Sequence, residues 1–345
     1  MTRTTRDSTA ASPVRETTGQ QPHQTVWTLA TAGLASRCLH VVADLGVADR
    51  IDEASVPIGA LAAACEVDPA ALDRILRLMA AHGVFERQRD GYRHTAASRL
   101  LRNDDPTSMR PFAQLMGLPL IWGSVTELES SVRTGRPGLH AVEPAGVWAY
   151  LQDRPLEAQV FGRAMTAKAG AEIAAVLAAY DFTRFPTIAD IGGGRGHLLR
   201  AVLDAAPAAT GVLFDLPQVI NGLDARHPRM IATAGDFFDD PLPYADAYVL
   251  MEVLHDWRDE QCVAILDAVR RAAPAGATLL VVEAILPDGA VDAWASTLDV
   301  VMLAVTGGRE RTEDEFDTLF HRTGFRLDRV IDTVSPMRIA EARAN

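Results

Sequence analysis

Thr187-Ile188-Ala189-Asp190-Ile191-Gly192-Gly193-Gly194-Arg195-Gly196-His197-Leu198-Leu199 is the stretch on which the fold turns. A short apolar run closes on Asp190-Ile191, four glycines fall within five positions, and a helical pattern follows. Strand, glycine turn and helix together bring backbone N–H groups close to a bound ligand. The spacing is G-x-G-x-G, and position 197, where a dinucleotide turn has its last glycine, is His. The compact turn suits a ligand without phosphates, lying against bare backbone.

Working outward, strands and helices alternate after Pro186. Strand patterns cover 187–191, 211–216, 230–234, 247–253, 278–286, 327–333 and 337–340. Alternation of this kind predicts an α/β fold, a Rossmann-like, doubly wound parallel sheet, to which a terminal hairpin adds one antiparallel strand. Towards the N-terminus, residues 1–22 are polar and read as a tail. Residues 23–110 carry helix, helix, helix and hairpin, a winged-helix arrangement with Asp68-Pro69 opening one helix and Asp90-Gly91 turning the hairpin. Residues 111–180 read as a helical segment holding Trp122, Trp148, Tyr150, Phe161, Met116 and Met165, mostly core, with a few lining a pocket for a flat apolar ligand. The remainder, 181–345, is the sheet domain.

Composition narrows the partners. The chain has 345 residues, 48% hydrophobic and 23% charged, with Asp+Glu 45 against Lys+Arg 33 and a formal net charge of −12. Such an acidic balance argues against nucleic acid and anionic membranes, despite Arg74, Arg77, Arg87, Arg89 and Arg93 in the winged-helix part. Cys38, Cys65 and Cys262 lie far apart in apolar patterns, which predicts buried thiols in a cytoplasmic protein, with neither metal site nor disulfide framework. No signal peptide is visible, and no run reaches the ~18 apolar residues of a membrane-spanning helix.

The strand ends carry the remaining chemistry. Asp215, about twenty residues beyond the glycine turn, stands where a carboxylate accepts from ribose hydroxyls. Asp236-Phe237, ending the third strand, can take an adenine amino group and cover the ring. The fourth strand runs into Leu254-His255-Asp256-Trp257.

With Val281-Val282-Glu283-Ala284-Ile285-Leu286-Pro287 and Gly307-Gly308-Arg309-Glu310-Arg311-Thr312, these segments form an ordered motif set. The chain resembles the S-adenosylmethionine-dependent small-molecule O-methyltransferases of the plant caffeate type and their bacterial natural-product relatives. The resemblance implies that Gly192, Gly194, Gly196, Asp215, Asp236 and Phe237 hold the methyl donor. It implies His255 as general base, flanked by Glu283 and Glu310, and a homodimer formed through the N-terminal domain. Where plant members carry Lys four residues before the histidine, this chain has Met251; Arg195 replaces a frequent Thr, and Val305-Thr306 stands in place of a phenol-binding Asn segment. The implied acceptor is an aromatic, polyketide-like hydroxyl compound, with no metal involved. Other readings are N- or C-methylation, non-methylating chemistry with bound donor, and a winged-helix regulator.

Overall fold

A computed structural model describes residues 21–223 and 227–345. The expected N-terminal tail lies, but for its last two residues, outside the described residues. The helix Pro22–Leu45 opens on a proline and closes on Gly46, whose φ of 63° is the left-handed conformation that ends helices. Ile58–Ala64 and Pro69–Ala81 follow, the latter capped where the Asp68 carboxylate accepts the Ala71 N–H at 2.8 Å. The wing is three strands, β1 (Val56–Pro57), β2 (Phe85–Arg87) and β3 (Gly91–His94), in the order β1-β3-β2. Strand β1 is a correction to the helical reading that began at Pro57; it fits because Gly91 has no Cβ, which would stand 2.0 Å from the Val56 carbonyl oxygen. Part of this domain's positive charge is already spent: in the wing Arg93 pairs with Glu86 at 2.6 Å, and on the helix Pro69–Ala81 Arg77 pairs with Asp73 at 3.2 Å.

A helical layer over residues 110–179 joins the two parts. Tyr150 is buried with Leu115, Leu120 and Ile121, whereas Trp122 stays 37% exposed. The long helix Pro155–Ala179 spans from this layer to the sheet, where Ile173 and Val176 join the core.

The main sheet has β4 (Thr187–Ile191), β5 (Thr210–Asp215), β6 (Met230–Ala234), β7 (Ala247–Met251) and β8 (Thr278–Glu283), then two short strands, β9 (Ile285–Leu286) and β10 (Arg311–Thr312), that pair apart from it. The terminal hairpin, β11 (Phe325–Asp332) and β12 (Arg338–Ala344), completes the order β11-β12-β8-β7-β4-β5-β6. Only β12 runs against the rest. Every residue of β8 is buried, as expected for a strand covered on both faces. One face packs Ile265, Phe316 and Phe320 from the helices Asp259–Ala272 and Glu313–Arg322; the other packs Val176, Leu199 and Val202.

Two expectations change. Cys262 is buried, but Cys38 and Cys65 are only half-buried. The helix Pro22–Leu45 is, by length and composition, long and apolar enough to cross a membrane, contrary to the reading that no run was. Its exposed residues include Val26, Trp27, Leu29 and Leu34, all at least 66% accessible. A face of that kind needs a partner.

Parallel strands put their C-terminal ends on one edge. Gly192 follows β4, Asp215 ends β5, Asp236 follows β6, His255 follows β7 and Glu283 ends β8. The chain reverses direction between β4 and β7, which is where an open sheet of this class holds its ligand.

Candidate functional site

The glycine turn is built by sterics. Gly192, Gly194 and Gly196 have φ of 69°, 57° and 71°, a region that L side chains rarely enter. Gly193 is small for another reason: a Cβ there would stand 2.4 Å from the Asp190 carboxyl. Gly196 then starts the helix His197–Ala205.

Asp215 reaches back across this turn. Its Oδ2 accepts the Gly194 N–H at 2.7 Å, and its Oδ1 accepts the Leu216 N–H at 2.7 Å. Burial pushes the Asp215 carboxyl above its usual range, while those two N–H groups oppose the rise. Asp190 is fully buried beside it, and burial together with the Asp215 charge pushes it up to about 7. Among the described residues the Asp190 Oδ2 has no hydrogen-bond partner. A buried and a half-buried acid with spare acceptor capacity suit a ligand that brings hydroxyls and positive charge.

Asp236 and Phe237 arrive from β6. The Phe237 ring comes within 3.8 Å of the point where a Gly192 Cβ would stand, so it edges the glycine turn. It also packs edge-on against Trp257, with ring centroids 5.9 Å apart. The Asp236 Oδ1 accepts the Phe238 N–H at 2.9 Å, which shapes its own turn.

His255 sits on the 3-10 turn Leu254–Asp256 and is 5% exposed. Its Nδ1 donates to Glu310 Oε1 at 2.8 Å, leaving Nε2 as the nitrogen able to take a proton; Asp256 Oδ1 lies 3.9 Å from it. Burial by itself would lower the imidazole pKa. The Glu310 hydrogen bond and the charges of Asp256, Glu310 and Glu283 outweigh burial and push the ring up to about 10.

Glu283 does not touch the imidazole. Its Oε1 accepts the backbone N–H groups of Leu254 at 2.6 Å and His255 at 3.1 Å, so the two flanking acids have different tasks. From the opposite side, Arg311 donates to the carbonyls of Leu254 at 3.0 Å and Trp257 at 2.8 Å, and to Asp259 at 2.8 Å. Gly308 packs so closely on this turn that a Cβ would stand 2.0 Å from the His255 oxygen.

The structure therefore brings Gly192, Gly194, Gly196, Asp215 and Phe237 together at one end of the crevice. His255, Glu283 and Glu310 meet at the other, and Val253, 3.0 Å from a Gly192 Cβ, joins the two. Sequence reasoning missed Arg311, although it stands inside the quoted Gly-Gly-Arg-Glu-Arg-Thr segment; its complete burial was the information lacking. It also missed Lys168, whose Nζ pairs with Glu252 beside the His255 turn. Lys168 is the chain's only lysine, a signal that composition alone contained. Glu252 holds a left-handed φ of 53°, an uncommon state for a residue with a side chain.

Residues 125–326 match the model of an O-methyltransferase domain, and residues 27–104 match an O-methyltransferase dimerisation domain. The phenazine O-methyltransferase of Lysobacter antibioticus is 38% identical, the alignment covering 89% of this chain and 92% of that one. The mitomycin biosynthesis 6-O-methyltransferase of Streptomyces lavendulae is 34% identical over 97% of this chain and 96% of its own. Among solved structures, an O-methyltransferase of neocarzinostatin biosynthesis, in complex with S-adenosylmethionine and 2-hydroxy-5-methyl naphthoic acid, superposes with a TM-score of 0.77. It is 32% identical and covers 92% of this chain and 98% of that one.

Removal of Arg311 should leave the carbonyls of Leu254 and Trp257 with only the weak Cys262 thiol as donor, 3.2 and 3.5 Å away, at a cost of about 1–3 kcal/mol in all. Urea unfolding of Arg311→Met is expected to show that loss, and a midpoint equal to that of the parent would refute it.

Proposed function

The chain belongs to the family of O-methyltransferases that take their methyl group from S-adenosylmethionine, and on that premise we propose His255 as the general base that deprotonates an aromatic hydroxyl. The observation that carries the reading is the 2.8 Å contact of Glu310 with Nδ1, which leaves Nε2 as the nitrogen able to take the proton.

The donor supplies, when bound, an electrophilic methyl on a cationic sulfur. In this reading Gly192, Gly194 and Gly196 let backbone lie against its body, Asp215 accepts from the ribose hydroxyls, and Asp236 with Phe237 holds the base. The fit rests on the protein itself: bare glycine backbone, the half-buried Asp215 and the buried Asp190, whose Oδ2 has no partner among the described residues. At the other end the acceptor is an aromatic natural product with a free hydroxyl, like the phenazine and mitomycin compounds of the relatives' names.

The proton balance supports the base. A phenol has a pKa of about 10, and His255 is pushed up to about 10, so a proton passes between them at little net cost. Glu310 keeps the imidazolium in place once it forms. Glu283 and Arg311 act on the backbone, holding the ring where the hydroxyl would meet it; they are positioning residues. Proton removal as the oxygen attacks contributes about 10²–10⁴ in rate.

The N-terminal domain suits a homodimer. The apolar face of Pro22–Leu45, with Trp27 71% exposed, falls largely inside the dimerisation match, and a second copy of the chain would cover it. Three free cysteines agree with a reducing cytoplasm.

The neutral imidazole is the form above the His255 pKa, which is raised. We therefore expect kcat/KM to climb with pH through the neutral range and to level only near about 10. Glu310→Gln should move that climb to lower pH and depress its plateau, and His255→Ala should cut kcat by about 10²–10⁴. A flat profile, or one that Glu310→Gln leaves in place, would remove general-base catalysis from the account. Asp215→Ala should weaken S-adenosylhomocysteine binding by roughly ten- to a hundredfold, the worth of charge-assisted hydrogen bonds; equal calorimetric affinity would contradict its role. Trp27→Glu should turn dimers into monomers in sedimentation, and an unchanged dimer would place the interface elsewhere.

A further inference from the structure

Beside the His255 turn lies a group of charges that the mechanism leaves unused. Lys168, from the helix Pro155–Ala179, has its Nζ against Glu252 Oε1 and 3.9 Å from Glu172 Oε1, one helical turn further on. The Lys168 and Glu252 side chains keep 14% and 15% of their surface, and Glu172 is buried. Trp294 lies beside the ammonium, 5.7 Å from Nζ to the ring centroid, and is 37% exposed. The Glu172 Oε2 is buried and has no hydrogen-bond partner among the described residues.

We propose that Lys168, Glu172 and Glu252 form the edge of the acceptor pocket that reads a ring substituent, taking an amino or carboxamide N–H beside a carbonyl or hydroxyl oxygen and turning away a carboxylate. The inference rests on the methyltransferase reading given above and names the substituent that reading leaves open.

Three observations carry it. The first is place. Glu252 is three residues before His255, and the charges of Glu252 and Lys168 both act on the Asp256 carboxyl, while His255 acts on Glu172. The cluster is thus electrically part of the site. Along its helix, Phe161, Met165, Lys168 and Glu172 are spaced as one stripe, so the charged edge continues an apolar one. The second is choice of residue. In a chain that uses arginine for every other of its 33 basic side chains, the single lysine is buried here. A compact ammonium donates in three directions, and only one is committed to Glu252 within hydrogen-bond distance.

The third is unmet demand. A buried carboxylate oxygen without a partner costs free energy that an N–H from a ligand recovers. Burial, with the Glu252 charge adding, pushes Glu172 up to about 7, so a donor placed there also favours its ionised form. A carboxylate on the ligand would instead face Glu172, Glu252 and Asp256 while Lys168 is already paired; like charges set against one another penalise it. A flat ring laid against Trp294 presents its substituent to this edge. The strained φ of Glu252 then has a use, because it turns that carboxylate towards Lys168.

The test uses the full-length enzyme loaded with S-adenosylhomocysteine and calorimetry with matched hydroxyaromatic carboxamides and carboxylic acids on one-, two- and three-ring scaffolds. The carboxamide should bind at least about tenfold more tightly than the ionised acid of the same ring, and Glu172→Gln or Glu252→Gln should bring that ratio towards one. A structural role alone would lower both affinities together and leave the ratio. If either variant fails to fold, the parent protein still decides, since the carboxamide-to-acid ratio is measured on it. A scaffold set in which no carboxamide outbinds its acid, or a ratio untouched in both folded variants, would overturn the proposal. S-adenosylhomocysteine separates the two readings: if it binds while the acids win, only this inference falls; if it does not bind, both do.

Discussion

The site depends on how the turn Leu254–Asp256 is held from two sides. Its N–H groups are taken by Glu283 from the end of β8, and its carbonyls are taken by Arg311 from β10. A single 3-10 turn has little stability of its own, since most of its polar groups lack local partners. Here a carboxylate and a guanidinium supply them, both completely buried, and Gly308 lets a neighbouring loop lie directly on the His255 oxygen. The backbone that carries His255 is thereby held by Glu283 and Arg311, and the ring itself by Glu310.

The crevice is rich in acids and poor in bases. Asp190, Asp215, Glu172, Asp256 and Glu283 all have carboxyl pKa values raised by burial. Against them stand His255, Lys168 and the buried Arg311, so carboxyl groups still outnumber cations, a balance that suits the cationic S-adenosylmethionine. The same balance explains why His255 remains protonated to high pH in the free protein, and why burial fails to make it neutral. Coulomb attraction from several carboxylates outweighs the desolvation of one ring.

Much of this was legible. The glycine turn, the strand-end acids and the ordered motifs specify the sheet and its ligand edge, because backbone sterics and strand termini are local properties. The division of labour between Glu283 and Glu310 was not legible, since both simply follow or precede short strands. Only the pairing of β9 with β10 sets one acid against backbone and the other against the ring. Pro57, the second residue of β1, was read as the start of a helix for a related reason: the strand extends only because β3 is there to pair with it. Cys38 and Cys65 looked like core thiols from their apolar surroundings, but Cys38 on the helix Pro22–Leu45 and Cys65 at the C-terminal cap of Ile58–Ala64 are half-buried.

By itself the sequence determined the parallel α/β class, the compact glycine turn and the identities of the acids at the strand ends. Those follow from periodicity and from conformations that few residues other than glycine adopt readily. Tertiary structure decided which groups meet across long separations: Glu310 with His255, Arg311 with the carbonyls around it, and Lys168 with Glu252. A polar side chain in the sequence carries no mark of its partner. It acquires one only when burial removes water as the alternative and leaves a single neighbour able to satisfy it.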